Sequence, residues 1–352
     1  MNIQRFHKIL EIGLEKKASD LHIVVDYPPI LRINTDLVAL EKERIITSQE
    51  SRELAFYLLG EERKEKFLKE KELDFGYSLS DMTRFRVNTY FTKGEITIAL
   101  RFISQKIRTI KELNLPSVLE RVTEANQGFF LVTGASSQGK STTLAALIDR
   151  INHARKVHII TIEDPIEYIF RPDKSLINQR EVYKDTLSFS KALRSTLRED
   201  PDVIMVGEMR DLETISTAVT AAETGHLVFA TLHTNSASQT IHRIIDIFPS
   251  HQQNQIRAQL SSSLLGVISQ RLIMGLERQI IPACEIMFNT PAVANLIREN
   301  KIHELPTIIE ISKDMGMNSF NASLAELVKR EIIDKETALK YSFNPKDLMN
   351  RL

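Results

Sequence analysis

Two rhythms of hydrophobic positions divide the chain. From Asn2 to Lys16, Ile3, Phe6, Ile9, Leu10, Ile12 and Gly13 fall at helical spacing and predict a helix. Shorter runs follow that alternate or stay apolar as strands do: Leu21–Val25, Ile30–Ile33, Leu73–Leu79, Thr83–Phe91 and Glu95–Ile103, with Pro28-Pro29 and Lys93-Gly94 as turns. Between them Ser48–Lys71 predicts a helix, and its run Glu61, Glu62, Arg63, Lys64, Glu65, Lys66 reads as a solvated face. Together these elements predict a small α+β domain over residues 1–104, followed by a linker and first helix over 105–127.

From Gly128 onward, in a second domain over 128–352, strands alternate with helices, the signature of an α/β fold with a parallel sheet. Phe129–Thr133, Val157–Glu163, Val203–Val206 and Leu227–Leu232 are the expected strands, charge-poor as strands buried on both faces must be. Thr142–Asn152, Leu187–Arg198 and Leu212–Thr224 are the expected helices. Beyond Pro249 the chain reads as mostly helical, with Ile256, Leu260, Leu264, Val267, Ile268 and Leu272 as one apolar stripe for core or subunit packing.

The first expected strand of that domain runs into Gly134-Ala135-Ser136-Ser137-Gln138-Gly139-Lys140-Ser141, with Thr142 opening the helix behind it. This is the pattern G-x-x-x-x-G-K-[ST] of a phosphate-binding loop. Glycines let backbone N–H groups turn inward around the phosphates, Lys140 reaches the β- and γ-phosphates, and the Ser141 hydroxyl ligates Mg²⁺. The helix then aims its N-terminal dipole at the anion. An ordinary strand-to-helix turn needs neither a lysine nor a hydroxyl at those two places.

Such a loop works with an acid at the carboxyl end of a neighbouring strand. Two strand ends qualify. Val203–Val206 ends in Gly207-Glu208, a Walker B arrangement, so Glu208 is a candidate for holding Mg²⁺ or polarising water; the competing reading is a surface acid paired with Arg210. The other expected strand ends in Glu163, Asp164 and Glu167, of which Glu163 is the candidate for orienting the attacking water and Glu167 is either catalytic or a salt-bridge partner. His226 and His233 flank Leu227–Leu232 and are candidates for contacting the γ-phosphate. Arg194 and Arg198, four apart on one helical face, reach either a phosphate edge or an adjacent subunit, or else pair with Glu199 or Asp200.

Composition narrows the partners. Lysines and arginines number 46 and acidic residues 46, so no bulk attraction to nucleic acid or anionic lipid is implied. One cysteine, Cys284, forms neither an intrachain disulfide nor a cysteine-based zinc cluster, which fits a reducing compartment, the cytoplasm. No stretch approaches a membrane span without charge, so direct membrane insertion is not expected and association with an inner membrane goes through a partner.

These ordered segments resemble the PilT-like type IV pilus retraction ATPases, of the PilT/PilU branch within the secretion-ATPase superfamily of ring motors. Ala18-Ser-Asp-Leu-His22 with Pro28-Pro29 resembles that family's N-terminal PAS-like domain, and Gly134–Ser141 its Walker A loop. Thr161–Glu167 is similar to its Asp box, Leu197–Asp211 to its Walker B segment, and Thr224–Asn235 to its His box. The resemblance implies a RecA-like core that binds ATP and Mg²⁺ through Lys140 and Ser141, with Glu163 activating water, Glu208 polarising metal or water, and His226 and His233 sensing the γ-phosphate. It further implies a homo-hexamer in which Arg84, Arg86 and Arg101 approach nucleotide across a subunit junction, and an inner-membrane pilus platform protein as partner.

The chain departs from the family in two segments. Ser137-Gln138 stand where Gly-Ser is usual, and Ala294 stands where an arginine is common. An accessory PilU-like paralogue working with a companion ATPase ring is therefore an alternative, as is a non-motor ATP-binding regulatory subunit. A nucleic-acid translocase has neither basic surplus nor aromatic clusters in its favour.

Overall fold

The computed structural model describes residues 2–33, 36–80, 83–103 and 106–352. The boundary expected at Ser104 and Gln105 lies outside the described residues. Two compact units are present, Met1–Lys106 with Pro165–Ile169, and Ile107–Asp164 with Phe170–Leu352.

The first unit contains α1 (Ile3–Glu15), β1 (Asp20–Ile23), β2 (Ile30–Ile33), β3 (Asp36–Ala39), α2 (Ser48–Glu70), β4 (Glu72–Ser80), β5 (Thr83–Thr92) and β6 (Glu95–Phe102). Its sheet is antiparallel throughout, in the order β3-β2-β1-β6-β5-β4. Helix α1 buries Phe6, Ile9 and Leu10, and α2 buries Leu54, Ala55, Leu58, Leu59 and Phe67, against Leu21, Ile23, Phe85, Val87, Ile98 and Leu100 of the strands. Helix α2 starts with a capping box, Thr47 and Glu50 satisfying each other's backbone N–H, and bends at Gly60, where the sequence pattern predicts one straight helix. The four residues of β3 are all exposed, so no alternation marks that edge strand in the sequence.

The second unit comprises β7 (Gly128–Thr133), α3 (Lys140–Ala154), β8 (His158–Glu163), β9 (Leu176–Glu181), α4 (Phe189–Thr196), β10 (Val203–Val206), α5 (Leu212–Glu223), β11 (Leu227–Leu232), α6 (Ala237–Asp246), α7 (Gln253–Ser263), β12 (Leu264–Met274) and β13 (Ile280–Phe288). Helices α8 (Pro291–Arg298), α9 (Leu305–Ile311), α10 (Phe320–Lys329), α11 (Lys335–Tyr341) and α12 (Pro345–Met349) follow. The strands form one sheet in the order β13-β12-β7-β11-β10-β8-β9. All neighbours are parallel except β12 and β13. Strands β7, β10 and β11 are buried at every position, which their uninterrupted apolar runs require.

This sheet corrects the expectation of a helical chain beyond Pro249. The apolar stripe is helical only as far as Ser263 in α7; Leu264, Val267, Ile268 and Leu272 lie in β12, which pairs with β7. Spacings of three and four serve both a helix face and a strand buried on both sides, so the period alone is ambiguous. Gly266, Val267, Ile268 and Ile273 favour the strand, and a side chain at Gly266 would meet the Met287 carbonyl oxygen at 2.5 Å. Strand β9 carries no apolar run because it is an edge, with one of its six residues buried. Helices α10, α11 and α12 close a separate small core, in which Phe320, Leu324, Leu327, Ala338 and Leu348 pack on Ile273, Ile281 and Ala283 of the β12–β13 hairpin.

Candidate functional site

Strand β7 delivers the chain to the carboxyl edge of the sheet, and residues 134–139 turn there into α3. The strand order places the end of β11 one strand from this loop, that of β10 two strands away and that of β8 three, at roughly 4.8 Å per strand.

The loop lies tight against β12. Gly134 has φ 149°, and a Cβ there would stand 2.5 Å from the Gln270 carbonyl oxygen; Gly139 has φ 79°, with a Cβ 3.2 Å from Gln270 Nε2. Gly134 therefore demands glycine for conformation and for space, and Gly139 for its left-handed conformation. Ser137 is also left-handed, at φ 61°, a conformation costing a side-chain-bearing residue roughly 1–2 kcal/mol, so the departure from glycine here carries strain. Gln138, the other departure, is an anchor. Its side-chain oxygen accepts the Leu272 backbone N–H at 2.7 Å, and its backbone carbonyl accepts from Gln270 Nε2 at 2.6 Å.

Lys140 is buried and its ammonium donates to the carbonyls of Gly134 and Ala135 at 2.9 and 2.8 Å. Helix α3 begins on Gly139, which offers no side-chain cap, so the positive end of its dipole is turned toward the loop. Ala135, Ser136, Ser137 and Ser141 are exposed, while Gln138, Gly139 and Thr142 are half-buried. A cradle that only glycine backbone permits, a bare helix start, a lysine and hydroxyls form a donor set fitted to a polyphosphate. Among the described residues no three His, Cys, Asp or Glu side chains converge on a metal position; Ser141, through its hydroxyl, and Glu208 are the candidates to hold a Mg²⁺ ion together with phosphate oxygens.

Glu208 and His233 join Lys140 in one electrostatic cluster. Arg210 clamps Glu208 with two hydrogen bonds of 2.7 Å, and His233 Nε2 stands 3.2 Å from Glu208 Oε1. Burial pushes the Glu208 carboxyl up, but Arg210, with His233 and Lys140 behind it, holds it below the ordinary range. Burial lowers the His233 imidazole, Lys140 lowers it further, and Glu208 opposes them only in part. The pairing of Glu208 with Arg210 and its place beside Lys140 thus hold together, where the sequence offers them as alternatives.

Glu163 is buried at the end of β8, and its Oε1 accepts from Thr161 Oγ1 at 2.7 Å and from Gln179 Nε2 at 3.1 Å. These two donors fix the carboxylate. Glu167 belongs to the first unit, where Arg86 stands 3.9 Å from it and 3.6 Å from Asp74. In that unit Arg84 is buried, donating to the Ile166 carbonyl at 2.9 Å and to Ser78 at 3.2 Å, and Arg101 pairs with Asp20 at 3.0 Å.

Two expectations need correction. His226 precedes β11 at the amino end of the sheet: the Gly128 N–H donates to its carbonyl, and Leu227 stands level with Gly128, while Leu232 stands level with Thr133 beside the loop. A parallel strand of six residues spans about 20 Å, so His226 is at the far edge of the sheet from the loop, its ring bonded to the Ala221 carbonyl at 2.9 Å. Arg194 pairs with Glu213, not with Glu199 or Asp200, and Arg198 donates to the Arg194 carbonyl at 3.4 Å; Glu199 is taken by Arg180 at 2.9 Å. Sequence reasoning also missed Gln270 and Thr143, whose side chains are bonded at 2.9 Å beneath the loop. The available signal was a lone amide in the apolar run of Leu264–Met274.

A parallel sheet that feeds a glycine-rich loop into a bare helix start, with a strand-end carboxylate beside the lysine, defines a phosphate-loop nucleotide-binding protein. The sequence profile described as type II/IV secretion system protein matches residues 3–310. Over 331 residues the chain is 43% identical to the type IV pilus retraction ATPase PilT of Pseudomonas aeruginosa, covering 94% of this chain and 96% of that protein. It is 38% identical over 346 residues to the type IV pilus ATPase PilU of the same organism, covering 97% and 90%. The crystal structure of the pilus retraction motor PilT with bound ADP superposes with a TM-score of 0.91 at 43% identity, over 97% of this chain and 98% of that one. The chain belongs to the type II/IV secretion system protein family, and its second unit is a RecA-like α/β core.

Proposed function

We propose that this protein is an ATP-hydrolysing motor of type IV pilus retraction. The observation that carries the reading is the likeness to a pilus retraction ATPase along nearly the whole chain, together with a loop whose glycines, lysine and helix start suit a polyphosphate. ATP is bound by 134–142, with Lys140 on the β- and γ-phosphates and Ser141 on Mg²⁺, an ion that supplies charge neutralisation at the phosphates. Glu163, held by Thr161 and Gln179, orients a water and accepts its proton as that oxygen bonds to the γ-phosphorus and the bond to ADP breaks. Glu208 and His233 complete the phosphate edge, and Arg210 keeps Glu208 ionised.

The working form is a homo-hexamer at the cytoplasmic face of the inner membrane, engaging a pilus platform protein. Arg84, Arg86 and Arg101 act across its junctions, and Arg84 first of all holds its own unit together. The ATPase domain is the unit Ile107–Asp164 with Phe170–Leu352, which includes the segment 107–127 expected as a linker, and Met1–Lys106 with Pro165–Ile169 form the other domain. No helix among the described residues is long and apolar enough to cross a membrane. Phosphate release by the purified protein, and restored twitching in a piliated strain lacking its retraction ATPase, test the reading. Nucleotide binding without hydrolysis, alone and with a companion ATPase, would favour the regulatory subunit instead.

A further inference from the structure

Strand β12 lies on the side of β7 away from Glu208, His233 and Glu163, and its side chains have no part in the chemistry above. It nevertheless carries a glutamine, Gln270, that is 1% exposed in the middle of an apolar strand. A leucine would serve the core there without the cost of desolvating an amide, which is tolerated only where both of its ends are bonded. Both ends are bonded, one to the phosphate loop and one to the helix behind it. Nε2 donates to the Gln138 carbonyl at 2.6 Å, and Oε1 accepts from Thr143 Oγ1 in the first turn of α3 at 2.9 Å. The Gln138 carbonyl only accepts, which fixes which end of the amide faces it. The backbone of the same residue limits the start of the loop, since a Cβ on Gly134 would stand 2.5 Å from the Gln270 carbonyl oxygen.

We infer that Gln270 is a positioning residue for nucleotide binding: it holds the start of the loop, its last turn and the helix behind it in the shape that receives the phosphates. The inference rests on the ATPase reading and adds to it a residue on a strand that supplies no chemistry. A loop held in its bound shape beforehand does not lose conformational freedom when the ligand arrives, so loosening it weakens binding first. Chemistry at an occupied site is affected less, because Glu163 lies three strands away and is held by its own donors.

The test uses full-length protein with Gln270→Met, which fills the volume and makes neither bond, and Gln270→Glu, which keeps an acceptor for Thr143 and loses the donor to Gln138. Dissociation constants for a fluorescent ADP, kcat and KM for ATP, and nucleotide-free melting temperature are measured on each. Both variants are expected to raise the ADP dissociation constant and KM by roughly tenfold to a hundredfold, the effect of one or two lost buried hydrogen bonds, with kcat within about threefold. The nucleotide-free melting temperature should also fall by a few degrees, since the Gln138 carbonyl and, in Gln270→Met, the Thr143 hydroxyl lose a buried partner. Unchanged affinity with a lowered melting temperature overturns the inference and leaves Gln270 an ordinary core bond. Equal losses in kcat and kcat/KM also overturn it, because they place the residue in the transition state. Wild-type protein is measured first, so failure of the ATPase reading shows there as absent binding and removes the basis for the clamp.

Discussion

The side-chain oxygen of Gln138 accepts the backbone N–H of Leu272 at 2.7 Å, tying the phosphate loop to a strand that is 134 residues away in sequence. Gln138→Ala and Gln138→Ser both leave that half-buried N–H without its partner, because serine is too short to reach it. Each is expected to destabilise the core by about 1–3 kcal/mol. For a unit of this size that is a fall of roughly 2–4 °C in melting temperature per kcal/mol. A melting temperature equal to wild type in both variants would show that the bond is replaced by water at no cost.

Hydrolysis and binding should separate at Glu163 and Lys140. Glu163→Gln keeps the shape that receives Thr161 and Gln179 but cannot take a proton, so ATP should still bind while turnover falls by about 10²-fold or more. Lys140→Ala removes the ammonium that bridges Gly134 and Ala135 and should weaken nucleotide binding itself. Equal loss of binding in the two variants, read by fluorescent nucleotide titration, would sink this division of labour.

The phosphate loop was legible because its chemistry is local. Glycines, lysine and hydroxyl are fixed in order by the turn they must make, and β7 and α3 on either side follow from uninterrupted and helical apolar spacing. Glu208 and Glu163 were legible as acids directly after buried strands. What the sequence could not supply is long-range pairing. His226 and His233 flank β11 symmetrically, and only the parallel register with β7 separates the one beside the loop from the one at the far edge. Gln270 stayed hidden for the same reason: its strand was read as helix, and its partners lie 132 and 127 residues away. Arg194 was offered neighbours in sequence and found Glu213 across the α4–α5 contact.

His233 makes stability depend on pH in a definite direction. Burial and Lys140 hold its folded pKa below the ordinary 6.5, so between the two values the unfolded chain binds more protons. Stability therefore rises with pH through this window, is complete above about 6.5, and is lost as pH falls toward the folded value. His22 in the first unit is lowered by burial and has the same sign. His233→Asn should thus shrink, without abolishing, the dependence of melting temperature on pH below about 6.5. An unchanged pH slope would mean that His233 is as solvated in the fold as in the unfolded chain. Glu208 acts lower, its stabilisation lost only as pH falls through its depressed folded pKa.

Helix α8 presents a different case. Leu296 and Ile297 are 8% and 0% exposed in the main core, whereas Asn295 and Arg298 face outward. Truncating either apolar residue to alanine should cost about 2–5 kcal/mol and lower ATPase activity together with the melting temperature. Asn295→Ala and Arg298→Ala should leave the melting temperature within a degree or two, so any loss of pilus retraction in them reports on an external contact. Retained stability in Leu296→Ala would contradict the packing of α8.

Subunit complementation tests the arginines. Arg84 is unsuitable for it, since Arg84→Ala removes donors to the Ile166 carbonyl and Ser78 from the interior of its own unit. Arg86 and Arg101 are the usable pair, their partners being partly exposed carboxylates of Asp74, Glu167 and Asp20 whose release costs little. An arginine supplied in trans stabilises charge on the transferring phosphoryl group and contributes orders of magnitude in rate. Arg86→Ala/Arg101→Ala protein mixed with Lys140→Ala protein should then recover part of the turnover that neither has alone. The recovered junction joins an intact Lys140 from one subunit to intact arginines from the next. Recovery should rise with total protein concentration as assembly proceeds and should vanish when the changes are combined in one chain. No recovery in mixtures shown by native mass spectrometry to co-assemble would place the catalytic arginine elsewhere. Arg210 would then be the first to examine, because it already stands on Glu208 beside the phosphate loop of its own subunit.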